Sequence, residues 1–587
     1  MSLDASLEAR QIGVSANYKD SRVGNFAQLQ QRLYLIAQGE SGVSFPTTKF
    51  TALSAGAVGE IAGYRSLAYL MAKQLLPQNG DGIGTIPLTV ALLPDAAGSA
   101  AAVGDITPSG TAASAGAYRV NVNEILGDAF VIPKGAVSVT DVSRSIGNSI
   151  NNVLGMPVKA TYAYGTVVGT KTVTVAASNG TLTTFTTIGN PKPGTWLLVC
   201  TAAAVNAGTF RLTDPDGVIV ATDVVMGARV VAGLGFTLVD GAVDYAVGDT
   251  WSILVPSTKV TLTSGWKGPT ANGLKVRIDG PSYGAEFAYT QPAGGLVSPS
   301  VLDALAQIGP NKWETMILDG GSIADAVALD AFQAWGEGRW LPTVKKPAVV
   351  FHGAAANTVA EAILVPDARK TDRINIQLTA PGSRNLPQVV AARQVARIIK
   401  LANNIPSHDY CLQPVDGIVP GLDSLQWDLI KRDAAVKGGA STVEVIDDVV
   451  RISNVVTFSH PSGEVPPAHR HLVDIVKLQN IINTVNLIFS QPTWAGAALI
   501  PDDQPVTEAT AKKPKMALAE IGAAADNLAL SAIISDPEYT KRSMTAVIDA
   551  SNPKRLNVRA PVKLSGNANI VDAIVEWSFF FGTAAVL

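Results

Sequence analysis

The sequence predicts a multidomain chain of mixed α+β / α/β class, on three observations. Its 587 residues and 60.9 kDa correspond to roughly four domains at about 150 residues each. Between 274 and 420, apolar strand-like runs alternate with helical patterns, the arrangement of a mostly parallel sheet with helices on its faces. Between 165 and 258, short Thr/Val-rich runs lie between Asn-Gly, Asp-Gly and Gly turns, the arrangement of an all-β sandwich or barrel.

The elements follow in order. Arg32 to Ala37 reads as a strand before a Gly turn at 39–42. Ile61, Leu67, Leu70, Met71 and Leu75 recur at three-to-four spacing, predicting a helix over about 59–76 that Pro77 stops. IPLTVALL at 86–93 reads as a buried strand. Residues 117–122 and 137–139 alternate as strands. Val142 to Leu154 reads as a helix with Asp141 as its N-cap. The all-β stretch 165–258 reads as an insertion, because the pattern before it (ATYAYG) resumes after it as KVTLTSGWKG.

Within 274–420 the expected strands are LKVRI, ETMILDG, PAVVFHG and INIQLTA. The expected helices are 299–308, 325–336, 355–364 and QVVAARQVARIIKLANN. Two helices then flank a hairpin, Ser441 to Phe458, turning at Asp447-Asp448. The second of them, about 468–489, carries Leu472, Ile475, Val476, Leu478, Ile482, Val485 and Ile488. Residues 493–515 read as a loop, 516–532 as a helix, and KRLNVRAPVKL and NIVDAIVEWSFFFG as strands.

Composition narrows the function classes. Charged residues are 16%, against about 25% in an average soluble protein. The formal net charge is −3 and the mean hydropathy +0.23. The chain is too apolar to be disordered. It lacks the basic excess of a phosphate-tracking nucleic-acid binder. No window of 18 or more uninterrupted apolar residues predicts a spanning helix, and Met1 to Arg10 lacks the apolar core of a signal peptide. Cys200 and Cys411 stand far apart and imply neither a disulfide framework nor a Cys-based zinc site. A low-charge surface on a large chain promotes association, so the expectation is that copies of the chain cover one another.

The terminal strand fits this. Ile570, Asp572, Ile574, Glu576, Ser578 and Phe580 fall on one face. Val571, Ala573, Val575, Trp577, Phe579 and Phe581 fall on the other, which is wholly apolar. Such a strand either sits in the chain's own sheet or adds to a neighbour's, where backbone bonds supply affinity and alternate side chains fill pockets. Burying Trp577 and Phe579 would contribute roughly 2–3 kcal/mol each. A head-to-tail contact of this kind builds helices or filaments rather than closed pairs.

Catalytic patterns are weak. Ser407-His408-Asp409 holds triad residue types, but contiguous residues cannot adopt triad geometry. His469 and His471 are two apart and diverge on a helix start, so a solvated helix N-terminus is expected there rather than a metal site. Gly80-Asp81-Gly82-Ile83-Gly84 follows a helix and leads into a strand, the wrong context for a phosphate loop. Asp214 to Gly217 is a turn without the later ligands of a calcium loop, and Asn179-Gly180-Thr181 reads as a hairpin turn. No Walker A, HExxH or GxSxG pattern is present. The expectation is no enzyme, no cofactor and no metal. Trp196, Tyr245 and Trp251 of the insertion could bind glycan if exposed, but large aromatics usually pack inward.

Several segments together resemble one family, the contractile tail sheath proteins of Mu-like bacteriophages. TPSGTAASAGAYRVNVN at 107–123 and SVTDVSRSIGNSINNVLGMPVKATY are similar to its first β-rich region. KVTLTSGWKGPTANGLKVRI at 259–278 is similar to its strand–Gly-Asn–strand segment, and 293–321 to the entry of its middle domain. GGASTVEVIDDVVRISNVVTFSHPSGEVPPAHRHLVDIVKLQNIINTVNLIF, from 438, is the most specific match, resembling its core hairpin and long helix. RLNVRAPVKLSGNANIVDAIVEWSFFFG resembles its C-terminal arm.

The resemblance implies an organisation. Residues 1–50 would form the N-terminal arm and a core strand, and 51–101 the first part of an α/β domain. Residues 102–164 and 259–278 would form a β-rich domain, 165–258 an inserted all-β outer module, and 279–420 the subtilisin-like α/β middle domain. The conserved α+β core domain facing the tube would span 421–550, and the C-terminal arm 551–587. Subtilisin-like describes fold only, since no triad carries over.

It also implies a function. The chain would be a structural subunit of a contractile tail sheath, stacking as hexameric rings around an inner tail tube. Its extended terminal arms would add strands to neighbouring copies. Contraction would drive the tube through the host cell envelope, with baseplate and tail terminator proteins as further partners and no nucleic acid or membrane insertion. The N-terminal arm contacts would be Ile12, Val14, Ala16 and Tyr18. The C-terminal ones would be Ile570, Val571, Ile574, Val575, Trp577, Phe579 and Phe581. His469, Arg470, His471, Lys477 and Asn480 would face the tube. The location would be the virion tail, with the host cytoplasm during assembly. Two alternatives stay open: the sheath of a related injection device, such as a tail-like bacteriocin or secretion system, and an α/β hydrolase-type enzyme.

Overall fold

A six-stranded sheet organises the middle of the chain. Its order is Phe50–Ala52, Leu88–Leu93, Leu33–Gln38, Met316–Asp319, Val349–Ala354, Asn375–Thr379. All neighbours pair in parallel except Phe50–Ala52, which runs antiparallel at the edge. The computed structural model describes residues 28–78, 82–84, 86–172, 178–463 and 468–568.

The side-chain period of two divides this sheet cleanly. Leu33, Leu35, Val90, Leu318, Phe351 and Leu378 enter one core. Tyr34, Ile36, Ala91, Ile317 and Val350 enter another on the opposite face. Helices Leu67–Leu75 and Pro387–Asn404 cover the first face, while Phe332 of helix Ala326–Trp340 and Leu305 of helix Leu302–Ala306 cover the second. Strands covered on both faces are continuously apolar, which is why LYLIAQ, MILD and VVFHGA lack alternation.

The strand Leu33–Gln38 lies in the middle of this sheet, with Leu33 in register with Met316 and Tyr34 with Thr89. Sheet partners nearly 300 residues away are invisible to local pattern. LKVRI stands outside the β/α alternation read over 274–420. Val276–Asp279 joins Gly116–Val122 and Ile125–Ile132 in a three-stranded antiparallel sheet, not the α/β sheet.

Two helix expectations are corrected. The single helix over 59–76 is two, Ala55–Ala62 and Leu67–Leu75. Gly63 has φ 87 and ends the first. Ser66 caps the second, its hydroxyl accepting from the Tyr69 N–H at 3.0 Å. The helix expected at 142–154 is Val139–Asn151, capped by Ser138 rather than Asp141. Asp141 sits in the first turn, and the Ser138 hydroxyl donates to it at 2.7 Å. Residues 137–139 therefore do not form a strand.

That helix packs on an antiparallel sheet ordered Ala285–Ala293, Ala101–Ala112, Ser257–Lys267, Val158–Tyr164, with Gly135–Ala136 paired to Ala101–Ala112. Tyr164 and Ser257 are cross-strand partners, and the Gly165 N–H donates to the Pro256 carbonyl at 3.0 Å. The chain between them forms a five-stranded and a three-stranded sheet around a separate core containing Trp196, Phe210, Phe236, Tyr245, Trp251 and Ile253. These aromatics are buried, so the glycan reading of Trp196, Tyr245 and Trp251 fails and their role is packing.

Further along, Thr442–Ile446 and Val449–Asn454 form a hairpin whose turn residues, Asp447 and Asp448, have φ 50 and 59, the type I′ geometry that suits strand twist. The long helix Leu472–Phe489 follows. It has a mean hydropathy of 1.3 and is half buried against the rest of the chain, as a core helix is. Helices Pro514–Leu530 and Pro537–Ser543 precede a last hairpin, Thr545–Ile548 with Leu556–Arg559. The strand expected over KRLNVRAPVKL is thus only its first part.

Candidate assembly surface

The arm residues expected to contact neighbours are Ile12, Val14, Ala16, Tyr18, Ile570, Val571, Ile574, Val575, Trp577, Phe579 and Phe581. All lie outside the described residues. Their roots are described, and each root is held by side chains of the body.

At the N-terminal root, the Leu29 N–H donates to Asn480 Oδ1 at 2.9 Å. The Gln31 N–H donates to Asn403 Oδ1 at 2.7 Å, and Asn403 Nδ2 returns a bond to the Gln31 carbonyl at 3.2 Å. Gln28 donates to the carbonyls of Ala402 and Asn403. At the C-terminal root, Lys477 Nζ donates to the Ser565 carbonyl and to Asn567 Oδ1, both at 2.6 Å. Asn567 Nδ2 donates to the Ser407 carbonyl at 2.8 Å.

The five residues expected to face a tube therefore divide. Lys477 and Asn480 are fully buried and their polar atoms are engaged inside the chain, so neither offers a side chain outward in this conformation. A buried ammonium is tolerated only with such partners, and Asp474 Oδ1 stands 3.5 Å away as well. His469, Arg470 and His471 are half-buried. The His469 ring packs edge-on against Trp340. The backbone of 469–471 is tied to Val456 and Thr457, with Thr457 Oγ1 donating to the His469 carbonyl at 2.7 Å.

Tyr410 is buried beside this cluster. Burial, then Asp409 and Asp474, pushes its phenol well above the ordinary value, so it stays neutral. Sequence reasoning missed Asn403 and Gln31, and it missed the partners that hold Ser565 and Asn567. No local signal marked them: Lys477 stands beside the apolar Ile475, Val476 and Leu478, but residues one and two apart on a helix lie on different faces.

The last hairpin is two-stranded among the described residues, so each strand keeps one edge unpaired there. Beside it, Phe489, Trp494, Leu499, Leu556 and Val558 line an open cavity of about 750 Å³. Large apolar side chains are bare elsewhere too: Leu429 and Ile430, adjacent at the start of helix Leu429–Lys437, are 71% and 80% exposed.

The catalytic candidates do not assemble. The His408 ring bonds the Asp409 backbone carbonyl rather than its carboxylate, and the Ser407 carbonyl is occupied by Asn567. The buried His352 stands 3.1 Å from Asp319 and 2.9 Å from Asn375, with no hydroxyl or thiol among these partners. Among the described residues, no group of three or more His, Cys, Asp or Glu could hold a metal ion. Cys200 is buried and Cys411 half-buried, both as free thiols.

No family model matches the chain. It is 24% identical over 374 residues to the Mu-like prophage FluMu tail sheath protein of Haemophilus influenzae, covering 61% of this chain and 73% of that protein. Among solved structures, it aligns with a sheath tail protein of Desulfitobacterium hafniense at 13% identity, TM-score 0.41, covering 95% of this chain and 97% of that one. It aligns with one of Listeria innocua at 12% identity, TM-score 0.42, covering 93% and 95%. Both TM-scores lie under 0.5 and add no argument about fold. The motifs and the curated relative point the same way: this chain resembles the tail sheath proteins of Mu-like phages.

Proposed function

We propose that the chain is a structural subunit of a contractile tail sheath and not an enzyme. Copies stack as hexameric rings around an inner tail tube, and contraction drives the tube through the host envelope. Baseplate and terminator proteins bound the assembly, which is built in the host cytoplasm and works in the virion tail. The observation that carries this reading is the 374-residue likeness to a tail sheath protein. The parallel sheet with helices on both faces supports a subtilisin-like middle domain, and the separately packed 165–258 module supports an outer decoration.

Contraction needs rigid bodies with two packings separated by a free-energy gap. It also needs links that survive the rearrangement. Strand addition supplies such links, because main-chain hydrogen bonds move with the bodies they join. The edges that the last hairpin leaves unpaired among the described residues, and the cavity beside it lined by Phe489, Trp494, Leu499, Leu556 and Val558, support a receiving role for the alternating 570–581 segment. An isolated two-stranded hairpin is marginal in water and gains from added strands.

The test is deletion of residues 570–587 followed by negative-stain microscopy. The expected result is a soluble folded subunit that forms no tubes, where the full chain does. Long tubes from the truncated chain would remove the arm from the mechanism. A full chain that stays monomeric at high concentration and hydrolyses a model ester would remove the sheath reading itself.

A further inference from the structure

The two chain ends are rooted on the same two elements. The long helix Leu472–Phe489 holds the N-terminal root through Asn480 and the C-terminal root through Lys477, three residues apart, less than one turn. The end of helix Pro387–Asn404 and the segment after it do the same: Asn403 grips Gln31, and the Ser407 carbonyl receives Asn567. Each element thus touches both roots, which closes a four-cornered polar cluster.

The two sides of this cluster differ. On the C-terminal side, the buried ammonium of Lys477 has a carbonyl and an amide oxygen at 2.6 Å each, charge-assisted bonds of the stronger kind. On the N-terminal side, the Gln31 side chain is fully buried, yet among the described residues neither Oε1 nor Nε2 has a hydrogen-bond partner. An orphaned buried amide destabilises the arrangement that contains it, so the N-terminal root is the weaker side.

We propose that this cluster is a junction that couples the two chain ends, with Lys477 as its positioning residue. Release of the C-terminal root from Lys477 loosens the N-terminal root, because the two share both supports. For assembly, which rests on the sheath reading above, load on one arm passes to the other through one short stretch of helix. It need not cross the large domains.

The experiment is amide hydrogen exchange on the full chain, kept below the concentration at which it associates. Lys477→Met is expected to speed exchange at 563–568 at least tenfold and at 28–31 at least threefold. Exchange in the 442–454 hairpin should change less than twofold, which a general loss of stability would not spare. Asn567→Ala removes the acceptor from the half-buried side and is expected to act in the same direction should Lys477→Met not fold. Gln31→Leu removes the orphaned amide and is expected to slow exchange at 28–31.

Faster exchange at 563–568 with no change at 28–31, in either Lys477→Met or Asn567→Ala, overturns the coupling. So does a uniform increase throughout the chain, or faster exchange at 28–31 in Gln31→Leu. If the exchange pattern is as expected but the full chain never forms tubes, the junction stands and the sheath reading falls.

Discussion

Excision of the inserted β module should leave the rest of the chain folded. The perturbation joins Tyr164 directly to Ser257 through an Asn-Gly turn, which suits two strands already paired at that position. Few polar bonds tie the module to the body. Asn190 Oδ1 accepts from the Tyr162 N–H at 3.0 Å, and Asn190 Nδ2 donates to the Ala160 carbonyl at 3.3 Å. The Tyr164 hydroxyl donates to the Pro191 carbonyl at 2.6 Å. Arg144 reaches the Pro193 carbonyl and Asp216, both at 3.0 Å, and Asn148 donates to Asp216 at 3.0 Å.

At about 1 kcal/mol each, less where exposed, these bonds sum to about 5 kcal/mol. Opposing this, shortening a loop of about ninety residues to two lowers the closure cost by about 3 kcal/mol. The net destabilisation is about 2 kcal/mol, too small to unfold a body with its own continuous core. The assay is differential scanning calorimetry of both chains. The excised chain should lack one transition, that of the module, and its remaining transition should fall by a few degrees. The reasoning is refuted if that transition falls by more than about 10 °C or is no longer cooperative.

Two further predictions concern the body. Gly353 lies in a central parallel strand, and a Cβ there would meet the Pro387 carbonyl oxygen at 2.3 Å. Gly353→Ala should therefore lower the body's melting transition by several degrees in the same calorimeter, because backbone must shift to admit the methyl. Hydrogen bonding from Arg277 holds the Glu124 carboxyl below its ordinary value of 4.5. A lowered folded pKa stabilises fully above the unfolded value, and that stability disappears as pH falls through the folded one. The stability gap between the parent chain and Glu124→Gln, measured by urea unfolding, should thus be open at pH 7 and close as pH drops below 4.5. A gap that stays constant to pH 2 would contradict this assignment.

Much of the element pattern was legible in the sequence. ETMILDG and PAVVFHG read as strands because burial on both faces leaves few polar positions in them, and INIQLTA because Ile374, Ile376 and Leu378 alternate with Asn375, Gln377 and Thr379. The type I′ turn at Asp447-Asp448 was legible because few residue types accept positive φ twice in succession. The break at Gly63 was passed over, although Ile61 and Leu67 are six residues apart and the three-to-four spacing does not span that gap. The cap at Ser138 was hidden, since Ser138 and Asp141 are both good capping residues and only the entering backbone direction distinguishes them.

The candidate surface was less legible. Low charge and an alternating terminal face pointed to self-association, and the motifs pointed to a tail sheath resemblance that the curated relative shares. Nothing local distinguished Lys477 on the long helix from a solvated lysine. Its burial depends on Ser565 and Asn567 arriving some ninety residues later in the chain.

The sequence by itself therefore determined the class of fold, the run of strands and helices, and the family resemblance, because these follow from local periodicity and residue type. Only the tertiary structure decided that Leu33–Gln38 occupies the middle of the parallel sheet and that the roots at Leu29 and Ser565 are both held by the long helix. The physical reason is the same in both cases. A strand's neighbours and a buried charge's partners are chosen by where distant segments meet, and no window of the chain contains both sides of such a contact.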